Sequence, residues 1–171
     1  MRNIGLTGKA MVGKTTAAKY LAARFSYNHT SFATPLKQIA RQLWDLNPDN
    51  KTDIVPTDPP RTVREILQLL GTEVTRQIDR NAWVNFLDRG ISRVSPGAHW
   101  VVDDVRFQEE AEMLVKRGFV IVRIERPDAP KLLTSEAAHA SENQMVTADV
   151  KIINDGTEDD LFKQILAVAL S

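Results

Sequence analysis

The stretch Gly8-Lys9-Ala10-Met11-Val12-Gly13-Lys14-Thr15-Thr16 spaces a glycine, four residues, and then Gly-Lys-Thr. That pattern suits a loop whose backbone N–H groups curl around an anion at a helix N-terminus. Glycine is required where the chain takes positive φ or runs close to phosphate. Lys14 would reach the β- and γ-phosphates of a nucleoside triphosphate, and the Thr15 hydroxyl would serve Mg²⁺. The neighbouring Ala10 and Thr16 belong to the same cradle. Lys9 reads either as a phosphate contact or as a solvated side chain. By itself the loop does not choose between a switch, a motor and a kinase.

Two further clusters bear on that choice. In "VVDDVRFQEE", Asp103 and Asp104 follow Val101 and Val102 at a strand end, where ligands bind in open α/β sheets. One aspartate could orient Mg²⁺ or its water shell, and Arg106 could hold a phosphate; the plainer reading is a turn with solvated charges. In "RTVREILQLLGTEVTRQIDRNAW", Arg64 and Gln68 lie four apart on one helix face. Gly71 ends or bends that helix near Glu73 and Arg76. Alone, this segment would be the solvated face of an amphipathic helix, with Glu73 pairing with Arg76. A GTPase would carry an Asn-Lys-x-Asp motif, which is absent, and 171 residues is short for a motor. A small-molecule kinase needs the loop, arginines around an acceptor phosphate, and a lid, because phosphoryl transfer is mostly positioning and charge neutralisation.

The elements that must position these residues alternate. Apolar runs at 3–7, 30–33, 99–103, 119–125 and 149–153 read as strands, mostly continuous as in a parallel sheet buried on both faces. Helical periodicity covers 14–25, 35–44, 62–74, 81–91 and 108–117. A last helix follows Thr157, which can cap with Asp160 three residues on. Strand–helix alternation means an α/β domain with a largely parallel sheet. Residues 47–61 are rich in Pro and Asp and read as an exposed loop. Residues 126–144 have weak periodicity and could form a flap.

Composition bounds the partners. The 22 basic and 22 acidic side chains cancel, so no global field draws nucleic acid or an anionic membrane. With no cysteine there are no disulfides, thiolate nucleophiles or zinc-thiolate sites. The apolar run near the N-terminus is too short for a signal peptide and no segment could span a bilayer, so a cytoplasmic location is expected. The length predicts one domain with one core. A homodimer is permitted, not required.

"VREILQLLGTEVTRQID" with Trp83 after it, then "DDVRFQEEAEML", "HASE" and "VKIINDGT", resembles the deoxynucleoside monophosphate kinases of tailed bacteriophages, over nearly the whole chain. The resemblance implies a three-layer α/β/α phosphate-loop domain with a five-stranded parallel sheet, an acceptor-binding insertion (about 35–98) and a lid (about 126–144). It implies ATP and Mg²⁺ as cofactors, with Gly8, Lys9, Ala10, Gly13, Lys14, Thr15, Thr16, Arg126, Asn154, Asp155 and Gly156 on the ATP. Lys37, Arg64, Gln68, Glu73, Arg76, Trp83, Arg106 and Glu142 would meet a deoxynucleoside monophosphate. Lys14, Arg106, Arg76, Arg126 and Asp104 would be catalytic, and Thr15 with Asp104 would support Mg²⁺, Asp103 being an extra acid. His139 and Ser141 would join Glu142 in the lid, with Lys131 as a further lid cation. Thr75 stands where relatives often have glycine.

The reading is therefore ATP-dependent phosphoryl transfer to a deoxynucleoside monophosphate, giving ADP and a diphosphate. The alternatives are a kinase for another small acceptor, such as dephospho-coenzyme A, and a regulatory protein that holds ATP without transferring it. For Trp83 the core is the competing role, and for His139 a structural hydrogen bond.

Overall fold

The computed structural model of the protein describes residues 1–94, 97–129 and 146–171. The first elements are β1 (Asn3–Thr7), α1 (Lys14–Phe25), β2 (Asn28–Thr30) and α2 (Ala33–Trp44). Next come β3 (Ile54–Val55), β4 (Arg61–Thr62), α3 (Val63–Gln68), a π-helical segment (Leu69–Val74), α4 (Thr75–Ile78) and α5 (Ala82–Ser92). The remainder is β5 (Trp100–Val102), α6 (Gln108–Lys116), β6 (Phe119–Glu125), β7 (Val150–Ile153) and α7 (Glu158–Leu170).

The chain forms two compact units, Met1–Ser31 with Gly90–Ser171, and Phe32–Arg89. The first carries a five-stranded sheet in the order β2-β5-β1-β6-β7, every pairing parallel. The fold is thus the expected α/β class with a five-stranded parallel sheet. Side chains alternate across a strand, and β1 shows what lies on each face. Ile4 and Leu6 join a core with Leu21 of α1 and Ile165 of α7. Gly5 points the other way: a Cβ there would lie 2.8 Å from Ile121 Cδ1 and 3.0 Å from Leu114 Cδ1 of α6. Helices therefore cover both faces, giving three layers. The apolar run of β6 supplies the fully buried Ile121, Val122 and Ile124, and α7 starts at the Thr157–Asp160 capping box read from the sequence.

The second unit holds a smaller cluster of its own, Ala40, Leu46, Val55, Val63 and Ile66, separate in membership from the core of the first. β3 and β4 pair antiparallel, so the Pro- and Asp-rich stretch is not only an exposed loop: Val55 and Pro48 are buried in it. Thr62 caps α3 through a capping box with Glu65. Three boundaries differ from expectation by more than one residue. The second strand is Asn28–Thr30, not 30–33, because the chain already turns into α2 at Ala33. That helix starts two residues before Pro35. The helix read over 62–74 is α-helical only to Gln68, passes through the π-helical segment, and continues to Ile78.

Candidate active site

Gly8 and Gly13 take φ of +133° and +105°. At Gly8 a Cβ would sit 2.3 Å from the Ile124 carbonyl oxygen, and at Gly13 2.8 Å from Asn154 Nδ2. Positive φ and close approach thus both demand glycine at these two places. Met11 also adopts positive φ, at 61°. The Lys14 ammonium donates to the carbonyls of Gly8 at 2.8 Å and Lys9 at 2.6 Å, which keeps it on the loop itself. Asn154 Nδ2 donates to the Val12 carbonyl at 3.0 Å, and Asn154 N–H to that of Glu125 at 2.7 Å. Asn154, expected on the ATP, therefore ties the loop to the β6–β7 side of the sheet.

Asp103 meets the end of the loop. Its Oδ2 accepts from the Thr15 hydroxyl at 2.7 Å and lies 3.1 Å from His29 Nε2. Burial pushes the Asp103 carboxyl up, but hydrogen bonds from His29 and Thr15, with the charges of His29 and Lys14, outweigh it and hold it below its ordinary value. An acid kept ionised beside a hydroxyl is a donor set suited to a hydrated magnesium ion. The sequence reading set Asp104 in this place and left Asp103 as the extra acid; the strand end turns Asp103 toward Thr15, while Asp104 is half-buried. Arg106 is exposed, and its N–H and that of Phe107 both donate to Oε2 of the buried Glu110, at 2.8 and 3.1 Å. That carboxylate fixes the turn carrying Arg106 to the start of α6.

A cavity of about 340 Å³ opens at the loop, a size suited to a small ligand. Gly13, Lys14, Thr15, Thr16, Arg126, Asn154 and Gly156 line it, all seven expected on the nucleotide side. Met11, Glu158 and Leu161 complete the lining and were not anticipated. Ala10 and Asp155 are not in that lining, and Gly8 and Lys9 take part through their carbonyls.

The Phe32–Arg89 unit carries the remaining expected residues. Arg64 and Gln68 lie on α3 and Arg76 on α4, all half-buried, whereas Glu73 is exposed. Lys37 is ion-paired to Asp49 at 3.0 Å, and its hydrogen bond draws the Asp49 carboxyl down. Trp83 is 9% exposed and its indole N–H donates to the Gly71 carbonyl at 2.8 Å, which makes it a packing residue of this unit. Glu142, His139, Ser141, Lys131 and nearly all of the expected lid lie outside the described residues.

Sequence reasoning passed over His29 and Glu110 as well. Nothing local marks either: His29 matters only because β2 pairs with β5 in the register His29↔Val101, two residues before Asp103. Glu110 was readable in principle, as an acid three residues after the cap position Phe107 of a helix-forming run.

The chain is similar to known proteins over most of its length. Residues 47–165 match the family described as deoxynucleotide monophosphate kinase. A protein of Acanthamoeba polyphaga mimivirus, provisionally named a deoxynucleotide monophosphate kinase, is 30% identical, the match covering 96% of this chain and 94% of the relative. Among solved structures, the APS kinase of Mycobacterium tuberculosis in complex with AMPPNP and APS superposes with a TM-score of 0.58 at 14% identity, over 99% of this chain and 98% of that one. Shikimate kinase from Aquifex aeolicus does so at 0.55 and 14%, over 98% and 96%. At such identities the likeness is one of fold. The family match over most of the chain and the viral relative go further: this chain belongs to the deoxynucleotide monophosphate kinase family.

Proposed function

We propose that the protein transfers the γ-phosphoryl group of ATP to the phosphate of a deoxynucleoside monophosphate, releasing ADP and a deoxynucleoside diphosphate. The observation that carries this reading is the Lys14–Thr15–Asp103 arrangement on a phosphate loop in a chain of this family. In the reaction the bond from the γ-phosphorus to the β,γ-bridging oxygen breaks, and one forms to an oxygen of the acceptor phosphate. Both partners are anions, so the protein's task is to hold them close and neutralise charge.

The loop N–H groups and Lys14 take the donor phosphates. Thr15 and Asp103 are the residues that would hold Mg²⁺, which supplies charge neutralisation at the transferring phosphoryl group; Asp104 remains the second candidate acid. Arg126, Gly156 and Met11 line the rest of the donor cavity. Arg64, Gln68 and Arg76 carry the acceptor, and Arg106 and Arg76 contribute positive charge to the transition state. We place the enzyme in the cytoplasm, as a monomer or homodimer without nucleic acid.

The test is ADP release from ATP over a panel of deoxy- and ribonucleoside monophosphates, with dephospho-coenzyme A as a further acceptor. Acceptor-dependent ADP release with deoxynucleotides supports the reading. Release only with another acceptor, or tight ATP binding with no acceptor-stimulated turnover, overturns it.

A further inference from the structure

The π-helical segment changes the direction in which Arg76 leaves its helix. At about 100° per residue, Arg64 and Gln68 project about 40° apart. Arg76 follows Arg64 by 12 residues; in an unbroken α-helix it would stand about 120° away from it. Between them the backbone widens: Thr75 N–H bonds to Leu70 O, five residues back. Such a turn takes up about one extra residue, which returns Arg76 to about 20° from Arg64, between Arg64 and Gln68. Burial follows this wheel. Arg64, Gln68 and Arg76 are half-buried, whereas Glu65 and Gln77, about 100–120° around from Arg64, are exposed, as is Glu73.

Particular groups hold the wider turn. In an α-helix Thr75 N–H would bond to Gly71 O. Here the Gly71 carbonyl accepts instead from the buried Trp83 indole at 2.8 Å. The Thr75 hydroxyl donates to Leu70 O at 2.6 Å, so that carbonyl receives both polar hydrogens of Thr75. Gly71 itself packs on Leu36, whose Cδ2 would be 2.8 Å from any Cβ placed there.

We propose that Thr75 and Trp83 are positioning residues: by holding the π-turn they bring Arg76 into line with Arg64 and Gln68, so that the three side chains grip one acceptor nucleotide. This rests on the acceptor reading above, and gives Trp83 a role through the backbone rather than as a stacking surface.

The experiment measures KM for acceptor and for ATP, with calorimetric binding of the deoxynucleoside monophosphate, in wild type, Thr75→Val, Thr75→Ser and Trp83→Phe. Each is combined with Arg76→Ala or Arg64→Ala. We expect Thr75→Val and Trp83→Phe to raise the acceptor KM about 5- to 10-fold and the ATP KM less than about 2-fold, with Thr75→Ser near wild type. In the Thr75→Val background, adding Arg76→Ala should cost under about 2-fold more, while Arg64→Ala keeps its full effect. Should Trp83→Phe fail to fold by circular dichroism, the Thr75 pair carries the test. Additive costs for Arg76→Ala, or equal rises in both KM values, overturn the inference while leaving the kinase reading intact. A wild-type protein that neither binds nor phosphorylates a deoxynucleoside monophosphate overturns both.

Discussion

Lys14 reaches two carbonyls of its own loop, and its charge also favours the ionised Asp103. Lys14→Ala should lower kcat by at least about 100-fold with the melting temperature nearly unchanged. Retained turnover would remove Lys14 from the mechanism. The two adjacent aspartates make a sharper pair. If Asp103 supports the metal through its place beside Thr15, Asp103→Asn should raise the Mg²⁺ concentration for half-maximal rate about 10-fold or more, and Asp104→Asn much less. The opposite ranking, read from magnesium titrations of the two variants, would restore Asp104. At this scale the loop's backbone was legible, since Gly8 and Gly13, which take positive φ, stand within nine contiguous residues with Lys14 and Thr15. The choice of acid was not, because which aspartate meets Thr15 depends on the exit geometry of β5, and His29 joins only through strand pairing.

Among the elements, legibility tracked burial. β1, β6 and α1 have the bounds the sequence predicted because their apolar patterns run to their ends. β2 is a three-residue edge strand with two exposed residues, and an apolar pattern cannot mark it. The π-turn is equally silent, since Val63, Ile66 and Leu70 satisfy α-periodicity up to the place where it ends. Two helix starts predict a pH response. Hydrogen bonds from the Thr62 backbone and hydroxyl lower the Glu65 carboxyl, and those from the Thr157 hydroxyl and backbone lower Asp160. A carboxyl lowered on folding adds stability above its unfolded pKa, about 4, and loses it as the pH falls through the folded value. Melting temperatures should therefore drop on acidification below about pH 4, and less steeply in the Glu65→Gln, Asp160→Asn double variant. Parallel acid profiles for the two proteins would refute this. The loop glycines are stricter still: Gly8→Ala should destabilise by roughly 2 kcal/mol or more in urea titrations, given its φ and the Ile124 carbonyl.

Over the whole molecule, the proposed acceptor residues Arg64, Gln68 and Arg76 belong to the Phe32–Arg89 unit and the phosphate loop to the other. Ile66, buried in the cluster of the Phe32–Arg89 unit, should on truncation to alanine cost about 2–4 kcal/mol and raise the acceptor KM more than the ATP KM. Ile165, fully buried in the sheet unit, should show the reverse preference on Ile165→Ala, as ATP binding by calorimetry would reveal. Equal effects on both ligands from both variants would mean that the units do not divide the work.

The order of strands in the sheet has a consequence for synthesis. β1, at residues 3–7, has β5 and β6 as its neighbours, and β6 ends only at residue 125. While the ribosome makes the first two-thirds of the chain, the phosphate-loop sequence has emerged but has no sheet to stand on. The Phe32–Arg89 stretch, a compact unit contiguous in sequence, can meanwhile condense. A nascent chain should thus acquire the Phe32–Arg89 unit first, and a formed phosphate loop only after β6 has left the exit tunnel.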